Sequence, residues 1–164
     1  MEPRYIVHST YSEEEFIRFN RTVLYKNGRF LRTIILMNVS LVVIGVTALF
    51  HIKDYVALVP IAILLGFVNW YLFKGIDMRA ARNFKQNAMA NGQEFELAFY
   101  DDHYEGTSAD GTTGIPYSSL SKIIETETNF YIMHGPATGT ILQKKGCPDG
   151  FVDFIHRIKS RHNL

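Results

Sequence analysis

An intramolecular disulfide is out of reach for this chain, because it has one cysteine, Cys147, in 164 residues. The fold must hold by packing and hydrogen bonding alone, and an unpaired thiol fits a reducing compartment. Cys147 itself reads as a small, semi-buried filler of apolar space. The first twenty residues lack the basic start, apolar centre and small-residue cleavage site of a secretory signal. The first long apolar run is therefore expected to act as its own insertion signal.

Reactive motifs are scarce as well. Among the six histidines, the closest grouping of potential ligands is Asp101, Asp102 and His103, whose neighbours supply no second His or Cys at the i+3, i+4 or CxxC spacing that common sites use, so it reads as a solvated turn. Gly106 and Gly111 sit in a strand-turn context with no helix following, so they form no phosphate cradle. Ser118, Ser119 and Ser121 lack the strand-turn-helix setting of a hydrolase nucleophile. Glu125 and Glu127 share a strand face, which solvent-facing alternation explains more simply than acid/base work. The expectation is a protein that is no enzyme and takes no cofactor and no metal.

The most informative absence is charge. Thr33 to Phe50 and Tyr55 to Phe73 contain no Asp, Glu, Lys or Arg, and only His51, Ile52, Lys53 and Asp54 separate them. Each run has about the 18 to 20 residues that a bilayer-spanning helix needs. Outside the runs, residues 18–32 hold Arg18, Arg21, Lys26, Arg29 and Arg32 with no acid, and residues 74–87 hold Lys74, Arg79, Arg82 and Lys85 against Asp77. Basic charge beside the outer ends of the hairpin, and only Lys53 in its loop, predicts that both termini face the cytoplasm. Trp70, Tyr71 and Phe73 then fall at the inner interface, Phe50 and Tyr55 at the outer one.

Polar side chains within the runs are few. Asn38 lies twelve residues from Phe50 and Asn69 fourteen from Tyr55, so antiparallel helices bring both amides to similar depth. Either the two bond each other, for about 1 kcal/mol, or each bonds locally or to interfacial water. Gly45 and Gly66 permit close helix approach, and Pro60 is tolerated in the first turns of the second helix. No ionisable group lies inside the runs, which gives ion- or proton-coupled transport little support.

Before the hairpin, Tyr5 to Val7 suggest a strand, and Ser12 with Glu15 forms a capping-box pattern that starts a helix at Glu13. That helix is either an amphipathic lead-in to the membrane or a helix packed on the soluble domain, with Gly28 as a bend. Residues 75–91 read as a helix leaving the membrane and ending at Asn91-Gly92. From Gln93 the period changes to 2: Phe95, Leu97 and Phe99 alternate with Glu94, Glu96 and Ala98. Turn signals at Asp101-Asp102, Asp110-Gly111, Thr128-Asn129 and the stretch 135–139 divide the chain beyond Phe99 into short strands. A helix near Pro148 closes the chain, with Phe151, Phe154, Ile155 and Ile158 on one face.

The fold class expected is therefore an α+β membrane protein: a two-helix transmembrane hairpin followed by an antiparallel pleckstrin-homology-like β-roll with a C-terminal helix. Its regions are 1–32, a strand and basic helix; 33–73, the hairpin; 74–92, a juxtamembrane helix; and 93–164, the cytoplasmic domain. From residue 93 onward ten acids face six Lys or Arg, a balance of about −4. That balance argues against nucleic acid, which needs clustered Lys and Arg.

The segment Phe95 to Tyr104, then Ile115-Pro116-Tyr117 with Leu120 and Ile123 to Thr126, then Asn129 to Ile132, and finally Lys144-Lys145, resembles the bacterial YcxB-like membrane proteins. The resemblance implies a bacterial inner-membrane location and no established activity. The function expected is a membrane anchor for a protein-interaction domain, with a membrane-protein partner or a second copy as occupant of the bilayer contacts. The acidic domain is also expected to attract the basic helices 18–32 and 75–91. The alternative is a lipid-headgroup-responsive module using Lys122, Lys144 and Lys145. A transporter or channel subunit has least support.

Overall fold

A computed structural model describes residues 2–26, 28–52, 58–86, 94–108 and 111–164. The chain divides into two units, Met1–Phe19 with Phe84–Leu164, and Asn20–Asn83.

The first unit is a two-sheet domain. Strands β1 (Tyr5–Thr10), β2 (Glu94–Phe99), β3 (His103–Ser108) and β4 (Gly111–Pro116) form an antiparallel sheet in that order. Strands β5 (Lys122–Glu125), β6 (Asn129–Met133) and β7 (Gly139–Gln143) form the second. Alternation in β2 works as its sequence implies: Leu97 and Phe99 are buried while Glu96 between Phe95 and Leu97 is exposed. The Asp101-Asp102 turn leads directly into β3, and β4 starts at Gly111, whose φ of +132° suits glycine.

Helix α4 (Phe151–His162) buries Phe151, Phe154, Ile155 and Ile158, the four residues of its apolar stripe. They join Val7, Leu97, Phe99, Tyr104, Phe130 and Leu142 in one core. Burying each such side chain contributes about 1.5–3 kcal/mol before entropy is counted. Rings organise the contact: Phe151 meets Phe99 edge-on at 4.9 Å between centroids, and Tyr5 at 5.6 Å.

Strand β1 belongs to this domain, although local patterning groups it with the lead-in helix. It pairs with β2 along its full length, from Tyr5↔Phe99 to Thr10↔Glu94. Residues more than eighty positions apart thus share a ladder, and no periodicity within a short window reports such a pairing.

Strand β6 shows why its sequence does not alternate. All five of its residues are buried, because both faces are covered. Phe130 and Ile132 face the core. Tyr131, on the other face, meets Phe19 of helix α1 (Glu13–Lys26) at 5.4 Å, and Asn129 Nδ2 donates to Glu15 Oε2 at 2.5 Å. The first half of α1 is thus packed on the domain. It begins as the capping pattern implies, with the Glu15 N–H donating to Ser12 Oγ at 3.2 Å. Phe84 completes the contact through Phe16, at 5.8 Å.

The second unit is helical. It comprises the remainder of α1, helix α2 (Arg29–Ile52) and most of helix α3 (Leu58–Gln86). Gly28, at φ +61°, turns the chain between α1 and α2. The stretches Phe30–Thr47 and Val59–Gln86 have mean hydropathies of 2.0 and 1.6, and their most apolar 18-residue portions are only 6% and 0% buried. Both helices are long and apolar enough to cross a membrane. Gly45 is buried where a side chain would meet Ile61 at 3.4 Å, whereas Gly66 faces open space. The Lys53-Asp54 loop, Asn91-Gly92, Gln93 and Asp110 lie outside the described residues.

Candidate binding sites

The domain holds a pocket of about 210 Å³ lined by both sheets. Leu97 and Phe95 of β2, Tyr104 and Gly106 of β3, and Thr113 and Ile115 of β4 line it from one sheet, with Thr140 of β7 from the other. Gly106 keeps this space open, since a Cβ there would stand 3.4 Å from Leu97 Cδ2. No charged side chain lines the pocket; Ser9 and Tyr11 add two more hydroxyls to its wall. Ser9 Oγ donates to the Ile141 carbonyl at 2.7 Å, and the Ile141 N–H donates to Tyr11 Oη at 3.2 Å. Burial raises the Tyr11 phenol above its ordinary pKa.

Tyr104 and Thr140 form the polar end of this wall, and His134, which does not line the pocket, bonds both. The Tyr104 hydroxyl lies 2.9 Å from Thr140 Oγ1 and also bonds His134 Nε2. Burial pushes the Tyr104 phenol up to about 12, so it stays protonated and can donate. His134 keeps an exposed edge, and desolvation of the rest of the ring lowers its pKa. A neutral imidazole at pH 7 can accept the Tyr104 proton in that bond. Nothing local in the sequence joins these residues, because Tyr104 and His134 stand thirty positions apart.

Strand β4 runs beside the pocket as an edge of its sheet. All of its residues are exposed except half-buried Ile115. Thr113 and Ile115 line the pocket, and by alternation Thr112 and Gly114 stand on the opposite face. About half the N–H and C=O groups of an edge strand point away from its partner and remain free to pair with another chain.

The structure does not gather the three candidate lysines. Lys122 begins β5, paired across from Met133, which itself pairs with Gly139. Lys144 and Lys145 follow Gln143, at the other end of β7. Lys144 is engaged: its Nζ lies 2.7 Å from Glu125 Oε1 and 4.6 Å from the centre of the Phe130 ring. Glu125 also accepts from His156 Nε2 at 2.9 Å, and the bond from Lys144, then that from His156, holds its carboxyl below the usual range. Lys145 is exposed and Lys122 half-buried. Glu127 lies beyond the end of β5.

In the hairpin, Asn38 and Asn69 are brought together. Asn38 Nδ2 donates to Asn69 Oδ1 at 3.2 Å, and Asn69 Nδ2 donates back to Asn38 Oδ1 at 2.8 Å. Each amide also donates one turn back along its own helix, to Ile34 and Leu65, both at 2.8 Å. Cross-helix and local bonds coexist because each NH₂ carries two protons.

At the β2–β3 turn, His103 Nδ1 sits 2.6 Å from Asp102 Oδ1, and this bond raises the histidine pKa. Asp101 pairs instead with Arg4 at 2.5 Å. Among the described residues no cluster of three or more His, Cys, Asp or Glu is placed to hold a metal ion.

Residues 99–155 match the family model of the YcxB-like proteins. The chain carries a YcxB-like domain. The match runs from the last residue of β2 into α4, so it includes Tyr104, Glu125, His134 and Thr140, and leaves out β1, α1 and the hairpin. No curated protein and no solved structure matches the chain.

Proposed function

We propose that this chain is a bacterial inner-membrane protein that crosses the bilayer twice, keeps both termini in the cytoplasm, and uses its YcxB-like domain to bind a protein partner. Exposed apolar helices in the second unit support the anchor. The flanking Lys and Arg of residues 18–32 and 74–87 support its orientation. Sheets of four and three antiparallel strands with a C-terminal helix support a pleckstrin-homology-like roll.

The observation that carries the binding reading is the exposed edge of β4 beside the 210 Å³ pocket. Small-molecule sites occupy roughly 300–1,000 Å³, so this pocket is undersized for a cofactor. A single apolar side chain suits it better. An extended partner segment adding to β4 gains backbone hydrogen bonds along the edge and specificity from the pocket, the division of labour seen in strand addition.

The test is photo-crosslinking in membranes of the full-length chain with a reactive residue at Thr112. A discrete protein adduct is expected, and Thr113→Trp, which fills the pocket, is expected to abolish it. An adduct that survives Thr113→Trp, or that forms equally from exposed Ser118, would defeat the β4 reading. For orientation, a reporter fused after Leu164 is expected to be active only on the cytoplasmic side; activity only outside would reverse it.

A further inference from the structure

The helical unit has a cavity of its own, of about 390 Å³, between residues of α1 and α3. Its charged side chains are Arg21, Lys74 and Asp77, and its aromatic ones are Tyr25, Trp70 and Phe73. Arg21 holds Asp77 through two bonds, Nε to Oδ1 at 2.7 Å and Nη2 to Oδ2 at 2.5 Å. That fork fixes the guanidinium plane and uses two of its five N–H groups. Asp77 is thereby neutralised, so the trio keeps one net positive charge. Lys74 carries it: the residue is exposed and makes no salt bridge among the described residues.

The position of this charge matters. Lys74 is the first charged residue after the apolar run that ends at Phe73. Trp70, Lys74 and Asp77 are spaced at four and three residues, so they share one face of α3. Trp70 is 58% exposed and Tyr25 41%, amphipathic rings of the kind favoured at headgroup depth.

We infer that this pocket binds the phosphate of an anionic lipid headgroup. Lys74 Nζ and the spare N–H groups of Arg21 contact the phosphate oxygens, and Trp70 and Tyr25 flank the less polar atoms next to them. Free phosphate would leave the aromatic walls unused, which is why the lipid is the better occupant. The inference rests on the reading of α2 and α3 as bilayer-spanning helices. It moves lipid recognition from the lysines of the sheet domain to the helical unit, where a cation stands beside the apolar surface.

The test uses the full-length chain in vesicles of equal parts phosphatidylglycerol and phosphatidylcholine, extracted with mild detergent, with retained lipids counted by native mass spectrometry. Phosphatidylglycerol is expected to be retained preferentially. Lys74→Gln is expected to lower that preference roughly fivefold, the effect of one surface cation beside anionic lipid. Arg79→Gln, an exposed cation on the same helix that does not line the pocket, is expected to leave it unchanged. Equal retention of both lipids, or equal losses in the two variants, would overturn the site. Displacement by millimolar inorganic phosphate would reassign it to the free ion and overturn the lipid assignment. Flotation with pure phosphatidylcholine vesicles separates the two readings. A chain that fails to float loses both the anchor and the headgroup site, whereas one that floats without preferring phosphatidylglycerol loses only the site.

Discussion

Replacing Asn38 by leucine removes two cross-helix hydrogen bonds at once, the 3.2 Å bond it donates and the 2.8 Å bond it accepts. Asn69 would still donate to the Leu65 carbonyl, so its amide keeps one partner and loses the other. Interhelical side-chain bonds within membranes average about 0.6 kcal/mol, which puts the coupling between the two residues near 1 kcal/mol. Leucine also gains from an apolar surrounding, so the stability of one variant is ambiguous. The cycle of Asn38→Leu, Asn69→Leu and the double variant cancels that gain. Unfolding of the full chain in bicelles by steric trapping supplies the measurement. The second substitution is expected to cost about 1 kcal/mol less in the background of the first than alone. Effects that add to within about 0.3 kcal/mol would refute the reasoning and leave the local bonds to Ile34 and Leu65 as the only ones that matter.

Three further outcomes are expected. Glu125→Gln, which weakens the contacts to Lys144 and His156, is expected to cost about 1 kcal/mol at pH 7, given that the pair is partly exposed. Because the Glu125 pKa is depressed in the folded chain, this contribution is present above the ordinary carboxylate value and fades as pH falls through the folded one. The difference between the two proteins in denaturation should therefore begin to shrink as pH falls below about 4 and go on shrinking through the lower folded-state value, and a constant difference down to about pH 2 would contradict the assignment. Tyr104→Phe removes the hydroxyl shared by Thr140 and His134 and is expected to cost about 1–2 kcal/mol by thermal unfolding; no loss would mean the network is idle. Burial pushes the Cys147 thiol up to about 11, so maleimide labelling should be slow at pH 7 and accelerate about tenfold per pH unit through pH 9. Rapid labelling at neutral pH would show the thiol to be open.

Much of the fold was legible because its signals are local. The uncharged runs, the Phe95-Leu97-Phe99 alternation, the Ser12 cap and the stripe of Phe151, Phe154, Ile155 and Ile158 each declare themselves within one short stretch of chain, and the corresponding elements are present. Partnerships across long separations were not legible. Ser9 and Ile141 are 132 positions apart, and Asn129 and Glu15 are 114. Five consecutive buried residues in β6 say that both faces are covered without saying by what. The candidate pocket is the extreme case, since its wall draws on β1, β2, β3, β4 and β7. The lysines show the opposite error of local reading: Lys144 and Lys145 are neighbours in sequence, yet the first is occupied by Glu125 and the second is exposed.

The ladder between β1 and β2 has a consequence for the order of events during synthesis. Residues 5–10 leave the ribosome well before residues 94–99, and both apolar helices are made in the interval. The first strand must wait, unpaired, until the intervening helices have been made. Completion of the sheet is thereby a late step, and a fragment beginning at residue 93 would lack an outer strand and leave an open seam where Val7 belongs.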